Sequence, residues 1–300
     1  MDLDAERRVV TVPDGRKIDV LVTGPADGLP LVLHEGTPAG LVLYPPTVRA
    51  AQARGLRVIL AARPGYEGST PRPGRRVADV AGDTAAVLDE LGADTFVTDG
   101  WSGGGPHTLA CAAALPGRCL AAASVAGVAP YRAKGLDWLG GMGPENVDEF
   151  GAATAGEAAL TQFLDSAAAT LGTVTGEDVA QALGGLVIAA DQAALTGEFA
   201  DYVAAALRAS MNTGIAGWRD DDLAFVKDWG FPLDSAPAAP VAIWQGDQDK
   251  MVPFAHGQWL AANIPGARAY LLPGEGHLSL TVSSLDRILD DLLDLAGQHR

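Results

Sequence analysis

Short apolar runs alternate with longer stretches of helical spacing through the first 130 residues. Val9-Val10-Thr11-Val12, the turn Pro13-Asp14-Gly15 and the run Ile18 to Val22 predict a β-hairpin. Leu31-Val32-Leu33-His34 and Val58-Ile59-Leu60-Ala61 are continuous apolar runs, each followed by a loop rich in glycine and proline. Between them Thr47 to Arg54 predicts a helix that stops at Gly55. Val77, Val80, Ala81, Thr84, Val87, Leu88 and Leu91 keep one helical face, closed by Gly92. A strand over Thr95 to Asp99, a small-residue helix from Gly105 and a strand near 120–128 follow. Strands that are apolar on every position are buried on both faces, which means a parallel sheet covered by helices. The hairpin fits as an antiparallel addition at its edge.

The pattern changes after Pro130. Residues 131–232 are rich in Ala, Gly, Leu, Asp and Glu and lack β-branched runs. The spacing predicts helices over Ala158–Leu171, Gly176–Ala190 and Phe199–Met211, and the run Asp220-Asp221-Asp222 comes next. Strand character returns at Val241-Ala242-Ile243-Trp244, past Pro237 and Pro240. A helix near Phe254–Asn263, a strand at Ala269–Leu272 and a closing helix from about Ser279 to Ala296 complete the chain. The expected fold class is α/β: a mostly parallel central sheet flanked by helices, made by residues 1–130 and 233–300. Residues 131–232 would form an inserted helical lid.

Composition narrows the partners. The chain has 300 residues, 48% hydrophobic and 19% charged, with a formal net charge of -16. That charge opposes nucleic acid and anionic membrane surfaces, which select a basic face. No apolar stretch reaches about 18 residues, so no membrane span is expected. The start, Met1-Asp2-Leu3-Asp4-Ala5-Glu6-Arg7-Arg8, is charged and lacks a signal-peptide core, so a cytoplasmic setting is expected. Cys111 and Cys119 are too few for a disulfide framework and read as buried small hydrophobes. The histidines and cysteines show no metal-ligand spacing. Gly103-Gly104-Gly105 lacks the Lys-Ser/Thr of a phosphate loop. No metal and no cofactor are expected. The partner would be a small-molecule substrate, and monomer and homodimer both remain open.

The candidate chemistry centres on Gly100-Trp101-Ser102-Gly103-Gly104, between a strand and a helix. In that context a serine sits on a strained turn with its hydroxyl exposed. A side chain at 100 or 104 would collide as the chain reverses, and Pro106 suits the first helical turn. Such a serine needs a base, and the base needs an orienting carboxylate. Two later loops offer them at the carboxyl ends of strands, where open α/β sheets hold their sites. One is Gln245-Gly246-Asp247-Gln248-Asp249-Lys250-Met251-Val252-Pro253; the other is Gly274-Glu275-Gly276-His277. Asp249 is favoured as the carboxylate, with Asp247 as its rival.

The order Ser102, Asp249, His277 and these flanks resemble the α/β-hydrolase superfamily. So do His34-Glu35-Gly36-Thr37-Pro38 and Arg63-Pro64-Gly65-Tyr66-Glu67-Gly68-Ser69. The resemblance covers roughly residues 9–130 and 238–298. It implies Ser102 as nucleophile, His277 as general base and Asp249 as its orienting partner. It also implies an oxyanion hole from the N–H of Gly103 and a second N–H, that of Thr37 or of Gly36. The serine excludes the epoxide and halide chemistry of relatives with an aspartate at the elbow. Acyl transfer is then expected: cleavage of an ester, lactone or thioester of a small, moderately apolar substrate. A small-molecule receptor, a lyase or an acyltransferase of the same fold are the alternatives. Gly36, Trp101, Trp138 and Trp218 are the expected substrate contacts. Met142, Phe150, Phe163, Met211, Phe225 and Trp229 are further candidates for an apolar wall. Glu35 would sit near the site mouth or cap a turn. His34 would bond the backbone, His107 would pack, His256 would face solvent or cap a helix, and His299 has no role.

Overall fold

The computed structural model describes residues 3–235 and 237–297, so His299 lies outside the described residues. Strands β1 (Glu6–Thr11) and β2 (Lys17–Thr23) form the expected hairpin about Asp14-Gly15. Then come β3 (Leu29–His34), helix α1 (Pro45–Ala53), β4 (Leu56–Ala61) and α2 (Val80–Glu90). β5 (Phe96–Trp101), α3 (Gly104–Ala114) and β6 (Cys119–Val125) follow. β7 (Val241–Gly246) and β8 (Arg268–Leu272) complete one eight-stranded sheet of order β1-β2-β4-β3-β5-β6-β7-β8. β3 to β8 run parallel, while β2 joins β4 antiparallel and places the hairpin at the edge. Leu31, Val58, Ile59, Val97, Ala121 and Ala122 are fully or almost fully buried, as strands covered on both faces must be.

Between β6 and β7 the described elements are all helical: α4 (Pro144–Ala155), α5 (Glu157–Leu171), α6 (Val179–Ala182), α7 (Ala189–Ala194), α8 (Gly197–Ser210) and α9 (Ala216–Phe225). Two differences from the sequence reading matter. The single helix expected over 176–190 is broken into α6, a 3-10 turn at Gly184–Leu186 and α7. Gly184 takes φ +55°, a conformation outside the right-handed helix. Helix α9 lies beyond the three helices that the spacing predicts in this segment and contains Asp220-Asp221-Asp222; all three are buried. Two helices close the chain, α10 (Phe254–Asn263) and α11 (His277–Leu295). α11 starts two residues earlier than its spacing suggests, which makes His277 its first residue.

Cys111 and Cys119 are buried and unpaired, and burial pushes the Cys111 thiol up to about 12. No helix among the described residues is long and apolar enough to cross a membrane.

Candidate active site

Ser102 follows the last residue of β5 and has φ +56°. A non-glycine residue in that left-handed region costs about 1–2 kcal/mol. Its backbone is pinned on both sides: Ser102 N–H donates to Val125 O (2.8 Å) and Ser102 O accepts from Gly105 N–H (2.9 Å). The glycines permit this turn. A Cβ on Gly100 would strike the Thr108 hydroxyl and the Gly104 carbonyl, and one on Gly104 would overlap the His34 carbonyl. The hydroxyl is thus held at the mouth of α3, over the carboxyl edge of the sheet.

His277 opens α11, and its Nδ1 lies 2.8 Å from Asp249 Oδ2. Asp249 is itself held by three other contacts. Its Oδ1 accepts the N–H groups of Met251 and Val252 (both 2.8 Å), and Oδ2 accepts from Gln245 Nε2 (3.0 Å). Gln245 in turn donates to Val252 O (2.8 Å). Asp247 is exposed and caps its own loop, accepting from Gly274 N–H (2.8 Å) and Gln248 Nε2. Asp249, not Asp247, therefore faces the imidazole. A cap residue missed in the sequence completes the arrangement. Asp191 of α7 is buried, and its Oδ1 accepts the N–H groups of Leu278 (2.8 Å) and Ser279 (2.9 Å) at the start of α11.

Ser102 and His277 line one cavity of about 350 Å³, together with Gly36, Thr37, Trp101 and Trp218. Among the described residues Ser102 Oγ has no hydrogen-bond partner; such contacts commonly tighten only when substrate binds. The far wall is apolar, with Phe163, Leu171, Leu183, Leu186, Val203 and Leu207. Glu145, Asp148 and Glu149 of α4 form another side, and among the described residues no Lys or Arg lines the cavity. A recess of about 40 Å³ beside Ser102 and Gly103 reaches Glu149 and Asp222. Burial raises the Glu149 carboxyl, and burial together with Glu149 raises that of Asp222 well above the ordinary range. The Trp218 indole donates to Glu149 Oε1 (2.7 Å).

Trp138 does not reach the cavity. It is buried against Phe150, Tyr131 and His256, and its Nε1 donates to Ala129 O (2.6 Å). Phe163 and Trp218 line the cavity, and Phe150 and Phe225 border the recess.

The remaining histidines differ in part from expectation. His256 is fully buried, not solvent-facing: Nδ1 accepts from Ala129 N–H (3.0 Å) and Nε2 donates to Trp138 O (2.8 Å). Burial lowers its pKa to about 4. His34 meets Cys111 Sγ (3.6 Å) instead of the backbone, and burial with the nearby Arg63 lowers its pKa to about 3. His107 packs as expected and also donates from Nδ1 to Gly103 O (2.9 Å). Glu35 neither caps a turn nor opens on the main cavity. It accepts from the Tyr202 hydroxyl (2.7 Å) beside a second small void that it shares with Asp99.

The loop after β3 carries the second candidate oxyanion donor. Gly36 packs on Ser102, since a Cβ there would lie 3.4 Å from the serine Cβ. Gly103 closes on the Thr37 side chain in the same way. Arg63, which follows β4, grips this loop: Nη1 donates to Glu35 O (2.6 Å) and Nη2 to Gly36 O (2.7 Å). Its other N–H groups meet Asp221, 158 residues further along the chain. The motif Arg63-Pro64-Gly65-Tyr66 was visible in the sequence, but nothing local marks Asp221 as its partner. Among the described residues no group of three or more His, Cys, Asp or Glu is placed to hold a metal ion.

Residues 30–283 match the family model described as alpha/beta hydrolase fold. The chain is 36% identical over 148 residues to a non-heme chloroperoxidase of Streptomyces lividans, a match covering 49% of this chain and 54% of that protein. It thus spans about half the length of that curated relative. Among solved structures it is similar to an alpha/beta hydrolase fold protein of Nakamurella multipartita (25% identity, TM-score 0.65, covering 97% of this chain and 100% of that one). An esterase of a Rhodococcus species superposes with TM-score 0.66 at 23% identity, over 96% and 99% of the two chains. An enol-lactonase of Burkholderia xenovorans does so with TM-score 0.66 at 21% identity, over 97% and 100%.

Proposed function

The chain belongs to the α/β-hydrolase fold family, and on that premise we propose that it is a serine hydrolase of carboxylic-ester-type bonds. The observation that carries this reading is one cavity lined by a strained serine and by a histidine whose far nitrogen is held by a carboxylate. Ser102 Oγ attacks the substrate carbonyl as His277 Nε2 takes its proton. Asp249 keeps the imidazole in the tautomer that leaves Nε2 free to accept, and stabilises the imidazolium that forms. The oxyanion lies between the N–H of Gly103 and that of Thr37 or Gly36. These donors are fixed before the reaction and meet charge that exists only in the transition state, so one donor is worth about 10²–10³ in rate. Collapse breaks the ester bond, and His277 returns its proton to the leaving alcohol. Water then attacks the acyl-enzyme by the same route and frees the serine.

The helical segment 131–232 acts as the cap over this site and supplies its wall. A cavity of about 350 Å³ with an apolar far side suits a small ester, lactone or thioester with an apolar portion. The similarity to a protein named as a chloroperoxidase favours hydrogen peroxide as one further acyl acceptor to examine.

Labelling by a fluorophosphonate and turnover of short p-nitrophenyl esters test the proposal. Both are expected in the native protein and abolished in Ser102→Ala. Labelling with only slow turnover, plus a Tm that rises with ligand, would indicate a receptor instead. Conversion of substrate with no acyl intermediate trapped would indicate a lyase.

A further inference from the structure

We propose that Asp221, on helix α9 of the insertion, is a positioning residue that sets the oxyanion loop of the core through Arg63. The inference rests on the serine-hydrolase reading above. Asp221 has no exposed surface, and both its oxygens are occupied. Oδ2 accepts from Arg63 Nη2 (2.7 Å) and Nε (2.9 Å), from the Tyr66 hydroxyl (3.0 Å) and from Thr37 Oγ1 (3.1 Å). Oδ1 accepts from Arg75 Nη1 (2.6 Å). Burial by itself would raise this carboxyl, yet Arg63 and Arg75 hold it well below the usual carboxylate range. It is therefore a fixed anion.

The consequence follows from peptide planarity. The Glu35 carbonyl and the Gly36 N–H belong to one rigid plane, and so do the Gly36 carbonyl and the Thr37 N–H. In a trans peptide the C=O and N–H point in opposite directions. Arg63 grips both carbonyls. It thereby fixes the direction of the two N–H groups that are the candidates for the second oxyanion donor. Asp221 fixes Arg63 in turn, and Thr37 Oγ1 bonds both of them. The planar guanidinium has enough donors, in a fixed fork, to reach a carboxylate and two carbonyls at once; a lysine ammonium does not. The loop is consequently assembled by an anion that the insertion carries, so docking of the helices and setting of the donor are one event.

The test compares Asp221→Asn, Arg63→Lys and Tyr66→Phe in the full chain. Each is assayed with a p-nitrophenyl ester and with two inhibitors of one skeleton. A trifluoromethyl ketone forms a tetrahedral adduct on the serine, and its methyl ketone binds without one. We expect Asp221→Asn and Arg63→Lys to lose about tenfold to 10²-fold in kcat and in trifluoromethyl ketone affinity, a fraction of the loss for deleting a donor outright. KM and methyl ketone affinity should stay within about threefold, because the cavity is not altered. Tyr66→Phe removes a bond to the same oxygen without touching the loop, so it should lower Tm and keep kcat. The proposal is overturned if Asp221→Asn and Arg63→Lys keep kcat near the native value. It is equally overturned if kcat falls while affinity for the adduct does not. Should Asp221→Asn fail to fold, Arg63→Lys, which retains the charge opposite Asp221, decides alone. Activity that survives Ser102→Ala would instead overturn the serine-hydrolase reading, and this proposal with it.

Discussion

Asp249 Oδ2 lies 2.8 Å from His277 Nδ1, and the other Asp249 oxygen is saturated by the N–H groups of Met251 and Val252. An asparagine fits the same space but turns an acceptor into a donor for either the imidazole or the backbone. Asp249→Asn should lower kcat for a short ester by about 10⁴, through the wrong tautomer, with the fold retained. Asp247→Asn, on the exposed side of the loop, should leave kcat unchanged. Steady-state kinetics of the two variants check both statements, and a loss under about tenfold in Asp249→Asn would remove it from the orienting role.

The elbow tolerates no side chain at Gly104, because a Cβ there would overlap the His34 carbonyl, a backbone atom at the end of β3 that cannot rotate away. Gly104→Ala should cost more than about 3 kcal/mol or prevent folding, well beyond the loss typical of a point substitution. Gly82→Ala, in α2 with nothing near its Cβ, should be neutral or stabilising. Urea unfolding of the two variants provides the comparison.

Asp191 caps the helix that begins with His277. Removing that carboxylate leaves the N–H groups of Leu278 and Ser279 unpaired, and capping losses run to about 0.5–2 kcal/mol. Asp191→Ala should lower stability by that amount and lower kcat further than the stability loss explains, since the imidazole is the first residue of the frayed turn. Asp191→Asn, which retains an acceptor oxygen, should recover most of both. Unfolding free energy and kcat measured on the same preparations separate the two effects.

Burial, with Glu35 close by, raises the Asp99 carboxyl to about 7 from an ordinary 3.8, and its Oδ1 has no hydrogen-bond partner among the described residues. Between those values the folded chain holds a proton that the unfolded chain has released. This group therefore makes the fold less stable as pH rises from about 4 to 7. Asp99→Asn should melt at the native temperature near pH 4 and several degrees above it at pH 8. His256 has the opposite sign: lowered to about 4, it must stay neutral in the fold, and its contribution is lost as pH falls from 6.5 toward 4. The stability deficit of His256→Gln should accordingly narrow over that interval. Melting curves across pH 4–8 test both.

The turn at Ser102, the hairpin and the parallel strands were legible because each rests on short-range constraints. Gly100 and Gly104 stand where the chain reverses, and continuous apolar runs mark strands with two covered faces. The order of Ser102, Asp249 and His277 was legible for the same reason, each on a loop at the end of a recognisable strand. The helical segment was less readable. Gly184-Gly185 breaks a helix that spacing alone extends, and nothing in the run Asp220-Asp221-Asp222 itself points to the arginines that meet Asp221.

The sequence by itself determined the class of fold and the tight turn on which Ser102 sits, since steric limits on adjacent residues and continuous apolar runs decide both. Only tertiary structure decided that Asp249 and not Asp247 meets the imidazole, that Trp138 and His256 pack against each other away from the cavity, and that Asp221 reaches Arg63 across 158 positions. Those outcomes depend on which faces of distant helices and loops are pressed together. Buried charges and indoles find their partners by packing, which no local spacing of residues encodes.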